Sequence, residues 1–365
     1  MDFKKTPLFE EHQKLGAKLA GFGGWLMPIQ YSGIISEHNW TRQKASLFDI
    51  CHMGEFIIKG EADKSNFSNL TTINLNTMPL FSCRYGFMLN ESGGVIDDLV
   101  VYKIKPDEWM VVVNAATIDS DVNHISSHLS KDSEFKNISS NLAKLDLQGP
   151  DSGRVLEELI GSEINKLKYY TFDYFTIEGE KNIISRTGYT GERGYELYIS
   201  PEKVKSLWNN LLGMDTVKPA GLGARDTLRL EMGYPLYGQD ITEQVNPLEA
   251  GFGKFIDFNK DFIGKEALLK KKKEGLTKKL ACFITDSRRA ARHNFKIFSN
   301  NKEAGIVTSG SFSPSLSCSI GMGYIETGLK TGDEIIIKEN DQSAQINARL
   351  TTKPFYKNGT ARKIG

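Results

Sequence analysis

Long hydrophobic runs, cysteine pairs and an excess of either charge are all missing from this sequence. No apolar stretch approaches the roughly 20 residues that a membrane-spanning helix needs. With 46 Lys and Arg against 45 Asp and Glu, the formal net charge is +1. That excludes the global electrostatic footprint of a nucleic-acid-binding protein, though not a local basic patch. Only four cysteines occur, Cys51, Cys83, Cys282 and Cys318, and none belongs to a CxxC pair. Thiols so widely spaced suit a reducing compartment rather than a disulfide framework. The opening "MDFKKTPLFEEHQKLGAKLAGFGGW" has no long apolar core and carries early acids, so neither a secretory signal nor a transit peptide is expected. The expectation is a cytoplasmic protein with no membrane and no nucleic-acid partner. Catalytic signatures are missing too. There is no GxSxG elbow, no GxxxxGK phosphate loop and no HExxH pair, so nothing points to an α/β-hydrolase, a P-loop enzyme or a zincin.

What is present is material for a large core: 39% hydrophobic and 25% charged residues over 365 positions, enough for two or three domains without staples. "YGFMLN" (85–90), "VIDDLVVYKI" (95–104) and "WMVVVN" (109–114) read as strands separated by "ESGG" and "KPDE", an antiparallel meander. "DSDVNHISSHL" (119–129) has helical spacing. "QGPDSGRVLEELIG" places Pro150 early in a helix and Gly161 just past its end. "SPEKVKSLWNNLLG" repeats that grammar, with Ser200 as cap and an apolar stripe of Val204, Leu207, Trp208, Leu211 and Leu212. "KNIISRTGYTG" and "GYELYIS" predict a hairpin. Strands and helices mix without βαβ alternation, so the class is α+β. "KEALLKKKKEGLTKK" (265–279) reads as a basic helix entering a linker, with a strand-rich domain after it.

Two aspartates interrupt the run "GGVIDDLVVY". Alternation puts Asp98 with Ile96, Val100, Tyr102 and Ile104, the more apolar set, and Asp97 with Val95, Leu99, Val101 and Lys103. Either carboxylate could cap turn amides, or one could be held partly desolvated for acid–base work. In "RTGYTGERGYEL", Glu192 sits at a turn tip, where a solvated charge is expected. Glu196 lies in a strand among aromatics, where a carboxylate could accept two parallel N–H bonds from a flat heterocycle, or simply face solvent. "AGLGARDTLRLEMG" is not a GxGxxG fingerprint, and no clean strand precedes it. It predicts a helix from about Ala224 with Arg225 and Arg229 on one face, either solvated or recognising an anion. His124 and His128 have i, i+4 spacing but no supporting acids, so no metal is expected.

These motifs, taken in order, resemble the aminomethyltransferases, the T proteins of the glycine cleavage system. "TPLFEEHQKLGAKLAGFGGWLMPIQY", "DICHMGEFIIKG", "GGVIDDLVVYK", "LDLQGP", "SRTGYTGERGYEL", "PAGLGARDTLRLEMGYPLYGQD", "DFIGKEAL", "TSGSFSPSL" and "KPFYK" carry the resemblance almost end to end. It implies an α+β, three-subdomain clover-like folate-binding fold with a C-terminal β-barrel. The expected folate-binding region is 1–270, with an inserted subdomain at about 52–138, and the barrel is 275–365. It implies tetrahydrofolate as co-substrate, no metal, the lipoylated H protein as carrier, and the P and L proteins as functional partners. Residue by residue, it assigns catalysis to Asp98 and ligand contacts to Tyr85, Glu196, Arg225 and Tyr234. Arg362 in the divergent tail is expected to help close the site.

Three rivals share the superfamily. A demethylase of the dimethylsulfoniopropionate type would keep the folate site and lose the carrier; the complete motif set favours the carrier-dependent enzyme. The non-catalytic iron–sulfur assembly protein carries a KGCYxGQE motif, which is absent here. Sarcosine and dimethylglycine dehydrogenases carry a flavin domain for which this chain has no room. The cluster "SRRAARHN" (287–294) is either a solvated charge run or a surface for the carrier or the glutamate tail of folate.

Overall fold

A computed structural model describes residues 3–340 and 342–363. The chain divides into two compact units. One contains residues up to Gly86, Leu99–Asp226 and the chain from Gly359 onward; the other contains Phe87–Asp98 and Thr227–Asn358.

The first unit is organised by a six-stranded sheet, in the order Phe172–Ile177, Glu180–Ser185, Gly194–Ile199, Ala143–Gln148, Ala45–Asp49 and Val217–Pro219. The last pair is parallel and the others are antiparallel. One face carries the apolar members of "AKLDLQ" and "GYELYI": Ala143, Leu145 and Leu147, with Tyr195, Leu197 and Ile199. They pack with Val204, Leu207, Trp208 and Leu211 of the helix Pro201–Leu212 and with Val155 and Leu156 of the helix Ser152–Ile160. The i, i+3, i+4, i+7 spacing explains why the longer helix buries one stripe. Pro201 opens it and Gly213 follows it, as the sequence predicts. Ser200 stands at its N-cap, but its hydroxyl donates to Glu180 Oε2 at 2.8 Å and makes no bond to the helix amides.

A five-stranded sheet has the order Cys83–Leu89, Val95–Lys105, Glu108–Val113, Gly54–Lys59 and Glu134–Asn137. The predicted meander is its first three strands. Along Val95–Lys105 both sets are largely covered: Val95, Asp97, Leu99 and Val101 are buried, and of the Asp98 set Tyr102 and Ile104 are buried while Ile96, Asp98 and Val100 are half-buried. Of the two carboxylates Asp97 is the more deeply buried, which neighbour hydrophobicity does not report because both sets are apolar.

In the second unit, Lys278–Thr285, Cys318–Glu326, Lys302–Ser313, Lys296–Ser299, Glu334–Lys338 and Ile346–Thr351 close a barrel. Phe283, Ile297, Val307, Ile325, Ile335, Ile337, Ile346 and Leu350 fill it. Two readings of "AGLGARDTLRLEMG" are corrected. A short strand, Val217–Pro219, does precede it, too brief to stand out by composition. Arg229 is not solvated: it is 1% exposed and donates to Asp240 Oδ2 at 2.8 Å, the Tyr234 carbonyl at 2.9 Å and Ser309 Oγ at 2.9 Å. Asp240 also accepts from the Leu236 amide and the hydroxyls of Thr308 and Ser309, so protein dipoles replace the water around this buried pair.

Candidate active site

The strand Ala143–Gln148 alternates strictly. Its apolar side chains enter the core, which sends Lys144, Asp146 and Gln148 to the other face. All three are buried, at 2%, 0% and 0% exposure. The neighbouring strand Gly194–Ile199 adds Glu196 and Tyr198 to that face. Antiparallel register places Glu196 directly across from Asp146, and Tyr198 across from Lys144. Two carboxylates in cross-strand contact repel. They coexist because cations are supplied to each. Arg225 donates to Asp146 Oδ2, and Lys144 Nζ lies 3.3 Å from Glu196 Oε1.

Glu196 is held from its other oxygen as well. Thr187 Oγ1 donates to Oε2 at 2.6 Å and Tyr102 OH at 3.3 Å. Tyr102 OH in turn accepts from Tyr198 OH at 2.8 Å and lies 3.1 Å from Ser185 Oγ. Burial raises the Glu196 carboxyl, but Lys144, the Thr187 bond and Arg225 outweigh it and hold the group ionised below its ordinary value. Burial pushes Asp146 up to about 6; Arg225 opposes that rise and Glu196 adds to it. Gln148 completes the row, donating to Asp146 Oδ1 at 2.5 Å and to the Thr187 carbonyl at 3.1 Å, and accepting from Thr190 at 2.7 Å. Its amide lies over Gly188 and Gly194, and a side chain at either glycine would collide with it.

Glu55 enters from the strand Gly54–Lys59. It is buried, and among the described residues nothing donates a hydrogen bond to its Oε1. Burial is the main cause of a carboxyl pushed up to about 8; Lys144 opposes the rise and Glu196 adds to it. His52 is also buried, and burial, with Arg225 and Lys144, depresses it to about 4 although Asp49 opposes the shift. Cys51 and Cys83 are pushed well up by burial and stay thiols. They offer no activated nucleophile.

Of the residues predicted for the site, Glu196 and Arg225 belong to one cluster in the first unit, joined through Asp146. Arg225 also places its guanidinium 5.0 Å from the ring centre of Tyr189. Tyr85 is half-buried in the strand Cys83–Leu89. Arg362 is exposed, 5.8 Å from the Tyr169 ring centre. Half-buried Asp98 and Tyr234 belong to the second unit. Glu192, expected at a solvated tip, is 2% exposed: it accepts from Arg42 at 2.8 Å and from the Thr360 hydroxyl at 2.5 Å and amide at 3.2 Å. The "GER" turn is covered by a segment distant in sequence, which local pattern does not report. Lys144, Asp146 and Glu55 are absent from the residues predicted by sequence. The signal for the first two was available: a polar residue at every second place in "AKLDLQ" marks a second face with a purpose.

Among the described residues, no three His, Cys, Asp or Glu side chains are grouped to hold a metal ion. The His124 and His128 ring centres lie 4.6 Å apart, and His128 Nδ1 is 2.7 Å from the His124 carbonyl oxygen. Among the described residues, no helix is long and apolar enough to cross a membrane.

A buried carboxylate–cation face in an N-terminal α+β region, followed by a closed barrel, defines a two-part class that family comparison recognises in the same two parts. Residues 8–260 match the family described as "GCVT N-terminal domain" and residues 278–357 the "Glycine cleavage T-protein C-terminal barrel domain". The chain belongs to the glycine cleavage T-protein family, the aminomethyltransferases. It is 47% identical over 357 residues to the aminomethyltransferase of Halothermothrix orenii, covering 96% of this chain and 99% of that one. It is 42% identical over 365 residues to that of Thermotoga maritima, covering 99% and 100%. Its fold is similar to the crystal structure of glycine cleavage system aminomethyltransferase T from Bartonella henselae, with a TM-score of 0.92 at 30% identity over 98% of this chain and 99% of that one.

Proposed function

We propose that this chain carries out the tetrahydrofolate-dependent step of glycine cleavage. The substrate is an aminomethyl group held through sulfur on the lipoyl arm of the H protein. The C–N bond breaks to release ammonia, and the C–S bond breaks to leave the dihydrolipoyl thiol. Two folate nitrogens form bonds to the same carbon and give up two protons, one to ammonia and one to sulfur. The product is 5,10-methylenetetrahydrofolate. This balance needs a proton acceptor and stabilisation of positive charge, and it calls for no metal and no enzyme nucleophile.

The observation that carries the reading is Glu196, an ionised carboxylate buried in a strand and oriented by Thr187 and Tyr102. Such a group recognises the N–H edge of a pterin by charge-assisted hydrogen bonds. Arg225, close to the Tyr189 ring, suits the remaining polar or anionic parts of folate. The family resemblance further assigns ligand contacts to Tyr85 and Tyr234, closure to Arg362 and proton acceptance to Asp98. The P and L proteins supply and regenerate the carrier, and the reaction runs in the cytoplasm. The test is formation of methylenetetrahydrofolate from aminomethylated H protein. Product must appear only with both H protein and tetrahydrofolate; turnover of a free methylated substrate without carrier would favour a demethylase instead.

A further inference from the structure

Three buried carboxyl groups, Glu55, Asp146 and Glu196, share two cations, Lys144 and Arg225. The pairing is uneven. Arg225 serves Asp146, and Lys144 lies 3.3 Å from Glu196 Oε1. That contact is long beside the roughly 2.7–2.9 Å of a good charge-assisted bond. Thr187 holds the other oxygen of Glu196 more tightly, at 2.6 Å. The other close neighbours of the Lys144 ammonium are the sulfur of Met53 at 3.8 Å and the Tyr198 ring centre at 5.0 Å. Met53 lies two residues before Glu55, and Met53 and Ile57 pack into the same apolar cluster as Tyr102 and Tyr198. Lys144 therefore pairs with a carboxylate that has several other donors, and its charge also acts on Glu55, whose Oε1 has no partner among the described residues.

We propose that Lys144 is a counter-ion shared between two carboxyl groups: ligand N–H donors at Glu196 displace its ammonium toward Glu55, which loses its proton. This rests on the reading of Glu196 as the group that grips the pterin. The step breaks only the O–H bond of Glu55. The proton passes to solvent. Before binding, the Lys144 field on Glu55 is offset by the negative charge of Glu196; afterwards that charge is engaged by the ligand. The other titratable groups facing Glu55 are Tyr198 and Cys51, both pushed up by burial and neutral. Asp146, Arg225 and His52 surround Lys144 and Glu196.

The experiment is titration calorimetry of the full chain with tetrahydrofolate at pH 7, repeated in buffers of different ionisation enthalpy. Wild type should release about one proton per ligand. Glu55→Gln should bind within roughly tenfold of wild type and release none. Lys144→Gln provides a second route, and it too should abolish the release. Wild-type binding without proton release, or full release by Glu55→Gln, overturns the proposal. The underlying reading fails differently: unaltered affinity in Glu196→Gln, or no binding by wild type, removes the pterin from Glu196 and the shared counter-ion with it.

Discussion

At the scale of single residues, the adjacent aspartates meet different surroundings. Asp97 is fully buried and Asp98 half-buried on the other side of the strand. Asp98→Asn should lower turnover by roughly 10²–10⁴, the scale of one acid–base group, with a much smaller change in folate affinity. Asp97→Asn should show its effect first in thermal unfolding. Near-wild-type turnover in Asp98→Asn would exclude it as the proton acceptor. Glu55 gives a pH prediction. Its folded value, about 8, is raised from the ordinary 4.5, so the folded chain holds a proton that the unfolded chain releases. The contribution of this group to stability is complete below about 4.5 and is lost as pH rises through about 8. Relative to wild type, Glu55→Gln should therefore gain melting temperature as pH climbs from about 5 to about 8; a pH-independent difference would mean that Glu55 is ionised in the fold. Part of this site was legible in the sequence. Glu196 and Arg225 stand in recognisable motifs, and the structure gathers them. Glu55 was not legible, because a buried glutamate on a strand looks like ordinary solvent-facing alternation until the second sheet face is known to be covered.

At the scale of elements, local grammar served well where one face is buried. The helices Ser152–Ile160 and Pro201–Leu212 lie where their apolar stripes and flanking glycines put them, except that Pro150, expected early in the first, lies in the turn before its N-cap Asp151. It served poorly where both faces are covered, since alternation then has no contrast; the deeper burial of Asp97 than of Asp98 could not be read from the pattern. The turn at Glu192 defeats local reading for a related reason, because a distant segment covers it. Gly149, after the strand Ala143–Gln148, has φ +136° and packs against the Lys44 carbonyl, where any Cβ would collide with backbone. Gly149→Ala is thus strained twice over and should lower stability by about 1–3 kcal/mol. Denaturant titration checks it, and a wild-type midpoint would mean that the backbone at Lys44 can move aside.

At the scale of the whole molecule, near-neutral net charge hides local asymmetry. Arg288, Arg289 and Arg292 stay exposed on the barrel, where Arg289 donates to the Ala344 carbonyl at 3.0 Å and Arg288 lies 4.6 Å from the Phe312 ring centre. If this patch meets an acidic carrier, Arg289→Glu should weaken apparent H-protein affinity and flatten its salt dependence, measured as KM for the carrier across ionic strength. Unchanged values on both counts would place docking elsewhere. The route of the chain has a further consequence. After building the barrel it returns its last residues to the first unit: Thr360 binds Glu192 and the Arg193 amide, Ala361 donates to the Gly191 carbonyl, and Arg186 donates to the carbonyls of Ala361 and Lys363. During synthesis, then, the turn that carries Glu192 must wait for the codons of Thr360 to Lys363. A ribosome that stalls before them leaves a nascent chain whose barrel can close while its first unit still lacks a clasp, and a protease that trims the tail returns a finished molecule to that state.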